Sequence, residues 1–100
     1  MNITRTDNDN CVTLALDGWL DTISSPILGE AVDAIESAGS IVLDFDKVEY
    51  MASAGLRQVI ACNRKAKELG AEFSVINVGS ETLSVFKMTG LDKKLNIAEK

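Results

Sequence analysis

"SIVLDFDKVEYMASAGLRQVIACNRKAKELG", residues 40–70, changes its periodicity once, and that change sets the fold class. Its opening, "SIVLDF", is short, apolar and rich in branched side chains, the composition of a strand at the centre of a sheet. Its later part places Leu56, Val59, Ile60, Ala66 and Leu69 on one stripe at helical spacing. Arg57, Arg64, Lys65, Lys67 and Glu68 fall mostly on the outer face, and Gly70 stops the run. Between the two stand Ala52-Ser53-Ala54-Gly55, four very small residues with one hydroxyl among them. A strand that leads directly into a helix is half of a βαβ unit, and such units build parallel sheets.

The alternation continues on both sides. Upstream, "CVTLALDG" sets Val12, Leu14 and Leu16 against Thr13, Ala15 and Asp17, a half-buried strand. Residues 2–6 pair with it through the turn-prone "DNDN", and "GWLDTISSP" carries the chain off the sheet. Ser25 followed by Pro26 reads as a hydroxyl cap and first helical residue. Ile27, Leu28, Ala31, Ile35 and Ala38 form the apolar stripe, and Gly39 is the stop. Downstream, "AEFSVINV" is a strand, "SETLSVFKMTGL" a short helix after Ser80, and "LNIA" a closing edge strand. The expected fold is α/β: one domain over residues 1–100, a mixed, mainly parallel β-sheet with helices packed against it. The helices are expected to start near Pro26, Gly55 and Glu81, joined by right-handed crossovers.

Composition narrows the function classes. One hundred residues with 46% hydrophobic content suit a single core that needs no disulfide or metal. The net charge of −5 opposes a nucleic-acid surface and favours cationic partners. "MNITRTDNDN" lacks the apolar segment of a signal peptide, and no run of apolar residues is long enough to span a membrane. Cys11 and Cys62 form no metal-spaced set and read as small buried hydrophobes in a reducing cytoplasm. Histidine is absent, which removes the usual general base, the Ser-His and Cys-His nucleophile pairs and most zinc sites. No catalytic set, cofactor site or metal site is expected.

Two places carry possible chemistry. "VLDFDKV", residues 42–48, ends a strand in Asp-x-Asp and resembles the nucleophile motif of haloacid-dehalogenase-type phosphatases. Period two would put Asp44 and Asp46 on one face. The flanking chain is too short for that family's remaining groups, so the expected role is solvating a strand end. The other place is Ser53, whose hydroxyl precedes a helix beginning around Ala54 or Gly55 and is positioned to cap it. A phosphate there would meet the positive end of a helix dipole and add charge to a surface kept small by its neighbours.

Taken together, "GWLDT", "IVLDFDKVEYMASAGLRQVI" and "GAEFSVINVGSETLSVFKMTGLDKKLNI" resemble the STAS domain family, which includes bacterial anti-sigma factor antagonists. The family pattern is a strand, a turn, then Asp-Ser-Ser/Ala-Gly-Leu opening a helix. Gly55 and Leu56 match its Gly-Leu, Ser53 falls on the serine phosphorylated by a partner kinase, and Gly18-Trp19-Leu20-Asp21 resembles Gly-Glu-Leu-Asp. Ala52 departs from the family Asp, and Ala54 from a common second Ser. The resemblance implies a non-enzymatic, cytoplasmic binding module that engages an anti-sigma factor serine kinase. Phosphorylation at Ser53 would switch it off and a phosphatase would reset it. The implied contact residues are Asp21, Thr22, Ala52, Ser53, Ala54, Gly55, Leu56 and Arg57. The alternative is an unphosphorylated STAS module in a lipid-transport or sensory assembly.

Overall fold

The computed structural model describes residues 1–100. Strand β1 (Asn2–Asn8) and β2 (Cys11–Leu20) form an antiparallel hairpin closed by Asp9 and Asn10, both at positive φ (49° and 67°). This is the two-residue turn whose twist suits a hairpin, and Asp and Asn tolerate it. Strands β3 (Ser40–Met51), β4 (Glu72–Val78) and β5 (Asn96–Glu99) follow β2 in parallel, in the order β1-β2-β3-β4-β5. Helices α1 (Ser25–Asp33), α2 (Ser53–Glu68) and α3 (Ser80–Met88) make the three crossovers, and a short 3₁₀ turn precedes β5. The expected mixed, mainly parallel sheet is the one found.

The core lies on one face of the sheet. Leu14 and Leu16 of β2, Ile41, Leu43 and Phe45 of β3 and Val75 of β4 pack with Leu28, Val59, Cys62 and Phe86 from the helices. The alternate strand residues, Thr13, Ala15, Val42, Ser74 and Ile76, are only half-buried on the opposite face. The sheet is therefore covered on one side, and its polar-apolar alternation follows from that.

Three boundaries differ from expectation. Helix α1 stops at Asp33, not Gly39, although Ile35 and Ala38 remain buried in the irregular segment beyond it. Gly39 does not stop a helix. Its amide bonds the Asn10 carbonyl at 2.8 Å, and a Cβ there would stand 2.5 Å from the Asn10 side-chain nitrogen. Strands β2 and β3 both run on, to Leu20 and Met51. Period two fails there because register shifts interrupt the pairing between Ala15 and Asp17 and between Gly18 and Trp19, each with an extra residue on β3. Helix α2, by contrast, ends as expected: Gly70 takes φ 71°, Ala71 N–H bonds the Ala66 carbonyl and Gly70 N–H bonds that of Lys67.

Candidate functional site

β4 leaves β3 after Asp44 and β1 leaves β2 after Asp17, so beyond that level only β2 and β3 continue, as a two-stranded ribbon. Leu20 and Met51 pair across it and are buried, while Trp19 pairs with Tyr50 on the exposed side. The two rings lie 5.5 Å apart at 59°, with 57% and 51% of their residues' surface exposed. Large aromatic side chains left open to water at a strand end are unusual for a small monomeric domain and mark a surface suited to contact.

The chain then enters α2 at the tip of this ribbon. Ala52 N–H donates to the Leu20 carbonyl (2.9 Å), and the Ala52 carbonyl accepts the first helical bond, from Leu56 (3.1 Å). With φ −85° and ψ 171°, Ala52 is the N-cap residue, and its methyl supplies no cap. Ser53 is the first helical residue and exposed, and its hydroxyl forms no cap bond, so the expected capping role is not the one found. The hydroxyl is left open to solvent. Arg57, one turn on, is also exposed, and the i, i+4 spacing puts it on the face of Ser53. Ala54 is half-buried and Leu56 packs against the core.

Gly55 is buried, and its need for glycine is a matter of distance. A Cβ would stand 2.6 Å from the Leu20 carbonyl oxygen, 2.7 Å from Leu20 Cγ and 3.0 Å from Met51 Cγ. The helix thus touches the backbone of β2. The small run answers two demands at once: Gly55 lets the helix seat on the ribbon, and Ala52, Ser53 and Ala54 leave the outer surface low.

Asp21 and Thr22 lie immediately after Leu20, on the other side of the Ala52–Leu20 bond. Asp21 Oδ1 accepts the Ser24 amide (3.0 Å) and the Ile23 amide (3.1 Å), while Ser24 Oγ accepts the Asp21 amide (2.9 Å). The reciprocal pair is a capping box one turn ahead of α1. Ser24 Oγ gives its proton to the Trp19 carbonyl (2.6 Å), and Ser25 turns its hydroxyl back to the Asp21 carbonyl, so Ser25 is not the cap that the Ser-Pro pair suggested. The Ser24 amide, with the Ile23 amide, holds the Asp21 carboxyl below the usual range. Thr22 and Ile23 project outward, Ile23 at 86% exposure. Asp21, Thr22, Ser53 and the exposed Trp19, Ile23 and Tyr50 are therefore gathered within three residues of one interstrand hydrogen bond. Trp19, Ile23 and Tyr50 are not among the contact residues that the sequence implied. Their signal was present: bulky apolar side chains in a polar stretch that fitted neither period.

Asp44 and Asp46 line one hollow with Asp17 and Lys47, but both are engaged. Asp44 Oδ1 accepts the Asn77 side-chain amide and the Asp46 backbone amide, each at 3.0 Å. Asp46 pairs with Lys100 Nζ at 3.1 Å. They hold the bulge and the sheet edge. Burial pushes the Cys62 thiol up to about 12, against a side-chain hydrogen bond from Gln58 that lowers it, so this cysteine is an inert core group. Cys11 is half-exposed, not buried as expected. No three His, Cys, Asp or Glu side chains converge as metal ligands do, and no helix is long and apolar enough to cross a membrane.

Residues 3–97 match the family model described as "Mlab, STAS domain". The chain belongs to the STAS domain family. It is 27% identical over 99 residues to anti-sigma-F factor antagonist RsfB of Mycobacterium tuberculosis, across 97% of this chain and 80% of that one. It is 26% identical over 101 residues to the anti-sigma-B factor antagonist of Bacillus subtilis, across 100% and 93%. The crystal structure of an anti-sigma factor antagonist from Mycobacterium paratuberculosis superposes with a TM-score of 0.88 at 27% identity, over 99% of this chain and 86% of that one. In this STAS frame the family Asp would occupy the N-cap position, and Ala52 leaves that cap unmade.

Proposed function

We propose that this STAS domain is an anti-sigma factor antagonist: unphosphorylated, it docks on an anti-sigma factor that is also a serine kinase, and the sigma factor is released. That kinase, with ATP, phosphorylates Ser53, the complex separates, and a phosphatase resets the domain. The observation that carries this reading is Ser53 itself, a solvent-facing hydroxyl with no cap to make, at the start of α2 and beside exposed Trp19, Ile23 and Tyr50. The names of the relatives support the same role.

The physical consequence of phosphorylation follows from position. A phosphate at the first helical residue carries nearly two negative charges to the positive end of the helix, so the fold tolerates it. In a complex the same charge would lie inside the contact, where leaving it unpaired costs several kcal/mol. Since about 1.4 kcal/mol is tenfold in affinity, the partner is lost. Contacts would come from Asp21, Thr22, Ala52, Ser53, Ala54, Leu56 and Arg57, with Gly55 beneath them setting the height of the helix.

The test is phosphate incorporation and affinity with an anti-sigma factor kinase from the same genome. Ser53→Ala should abolish incorporation and keep binding, and Ser53→Asp should bind at least about tenfold more weakly. Equal affinity for both variants with no incorporation into the unsubstituted chain would overturn the switch. A second reading, a STAS module of another assembly that is never phosphorylated, has Ala52 in its favour, because the carboxylate that the family sets beside the serine is missing. It predicts that second outcome.

A further inference from the structure

We propose that Trp19 and Tyr50, with the carboxylates of Glu49 and Glu81, form a seat for an arginine side chain of the docking protein. The seat deepens the docking reading and rests on it. It lies at the ribbon tip, in two shallow hollows that share a wall. One is lined by Trp19, Glu49 and Tyr50, the other by Glu49, Tyr50, Met51, Glu81, Thr82 and Val85. Glu49 lines both, as the extra residue of the second bulge, a position that redirects a side chain away from the regular ladder. Glu81 belongs to the first turn of α3, so the ribbon tip and that helix bring the two carboxylates to one hollow.

The charge at this place is unanswered. The two ion pairs of the chain are Arg5–Asp7 and Lys100–Asp46, and neither Glu49 nor Glu81 takes part in one. Two exposed aromatic faces next to two unpaired carboxylates are complementary to a cation. A guanidinium fits better than an ammonium, because it stacks flat on a ring while its fork donates to carboxylates. A phosphate-bearing ligand would be repelled, in keeping with the net charge of −5.

The chain contains one tryptophan, so its intrinsic fluorescence reports on this seat alone. The full chain is titrated at low salt with the capped peptide acetyl-Leu-Arg-Leu-amide and with its citrulline counterpart, equal in shape but uncharged. Expected is a saturable fluorescence change with the arginine peptide, weaker by on the order of tenfold for the citrulline peptide. A similar loss is expected for Glu49→Gln/Glu81→Gln, and addition of salt should diminish the response. Both carboxylates are exposed, and the single Glu49→Gln variant serves as a second measure should the double variant unfold. Equal response to both peptides, an undiminished response in the variants, or no saturable change at about ten millimolar would overturn the proposal. The titration does not involve Ser53, so the two readings fail separately. A chain that selects arginine without being phosphorylated keeps the seat and loses the switch, and one that is phosphorylated but ignores peptide charge does the reverse.

Discussion

Replacing Ala52 with Asp should stabilise the domain, and the structure sets the size of the gain. The backbone at Ala52 already has N-cap geometry, φ −85° and ψ 171°, and its amide is fixed on the Leu20 carbonyl at 2.9 Å. No rearrangement is needed to aim a short carboxylate at the free amides of the first turn. An Asp for Ala exchange at an N-cap is worth ~1 kcal/mol, to which the helix dipole adds ~0.5 kcal/mol at a half-exposed site. For a domain of 100 residues, a gain of that size raises the melting midpoint by roughly 6–12 °C. Thermal unfolding followed by circular dichroism at pH 7 measures it, with Ala52→Asn as the uncharged cap expected to give most of the effect. The introduced carboxylate is stabilised folded, so its pKa falls below the unfolded value. The charge-dependent part of the gain is full above about pH 5 and is lost as the medium is acidified through the folded value, leaving the part that Asn also supplies. An unchanged or lowered midpoint for both substitutions would mean that Ala52 is not the helix cap, and the placement of Ser53 as first helical residue would fall with it.

Other perturbations have equally definite outcomes. Gly55→Ala should lower the midpoint, because a Cβ 2.6 Å from the Leu20 carbonyl oxygen forces α2 off the ribbon. Overpacking of ~1–3 kcal/mol outweighs the ~1 kcal/mol that alanine normally gains over glycine in a helix, and a raised midpoint would refute the contact. Ser53→Ala should change the midpoint little, since no cap bond is lost, while Ser53→Asp should raise it slightly through the helix dipole and Arg57. Asp21, held below the ordinary carboxylate value by the Ser24 and Ile23 donors, stabilises the fold above that value. Its contribution is lost as pH falls through the folded pKa, so Asp21→Asn should show a shallower loss of stability on acidification, and an unaltered acid limb would count against the capping box. With a thiol reagent at pH 8, Cys11 should react in the folded chain and Cys62 only after denaturant is added.

The fold was legible where the chain keeps one period per element. Val12, Leu14 and Leu16 alternate as read and are buried, and the apolar run "SIVLDF", read as a central strand, is one, with Ile41, Leu43 and Phe45 buried. The order of elements and the stop at Gly70 followed from equally local signals. The ribbon was not legible, because two bulges each insert a residue into β3 and move the side chains after them to new faces. "DKVEYM" therefore has no period to read, although Val48 and Met51 both pack inward. The end of α1 was misread for a related reason: Ile35 and Ala38 are buried at helical spacing but in an irregular segment, held by the Gly39–Asn10 contact between residues far apart in sequence. At the candidate site, the small run pointed to the right place and to the wrong bond. Which residue is the cap depends on where the helix starts, and a shift of one residue turned Ser53 from a cap into an open hydroxyl.

That one-residue shift bears on how a charge at Ser53 would act. Had the hydroxyl been the cap, phosphorylation would have removed a bond that the helix uses, and folding and binding would have changed together. At the first helical position the hydroxyl has no such bond to lose, and a phosphate adds to the stabilisation of the helix end. Arg57 on the same face is a further counter-charge available in the free domain. The rigid seat of Gly55 against Leu20 means that the charge cannot be accommodated by moving the helix away. A modification here leaves the fold in place and changes only the surface that a partner meets. Such a surface can be switched repeatedly without unfolding the domain that carries it.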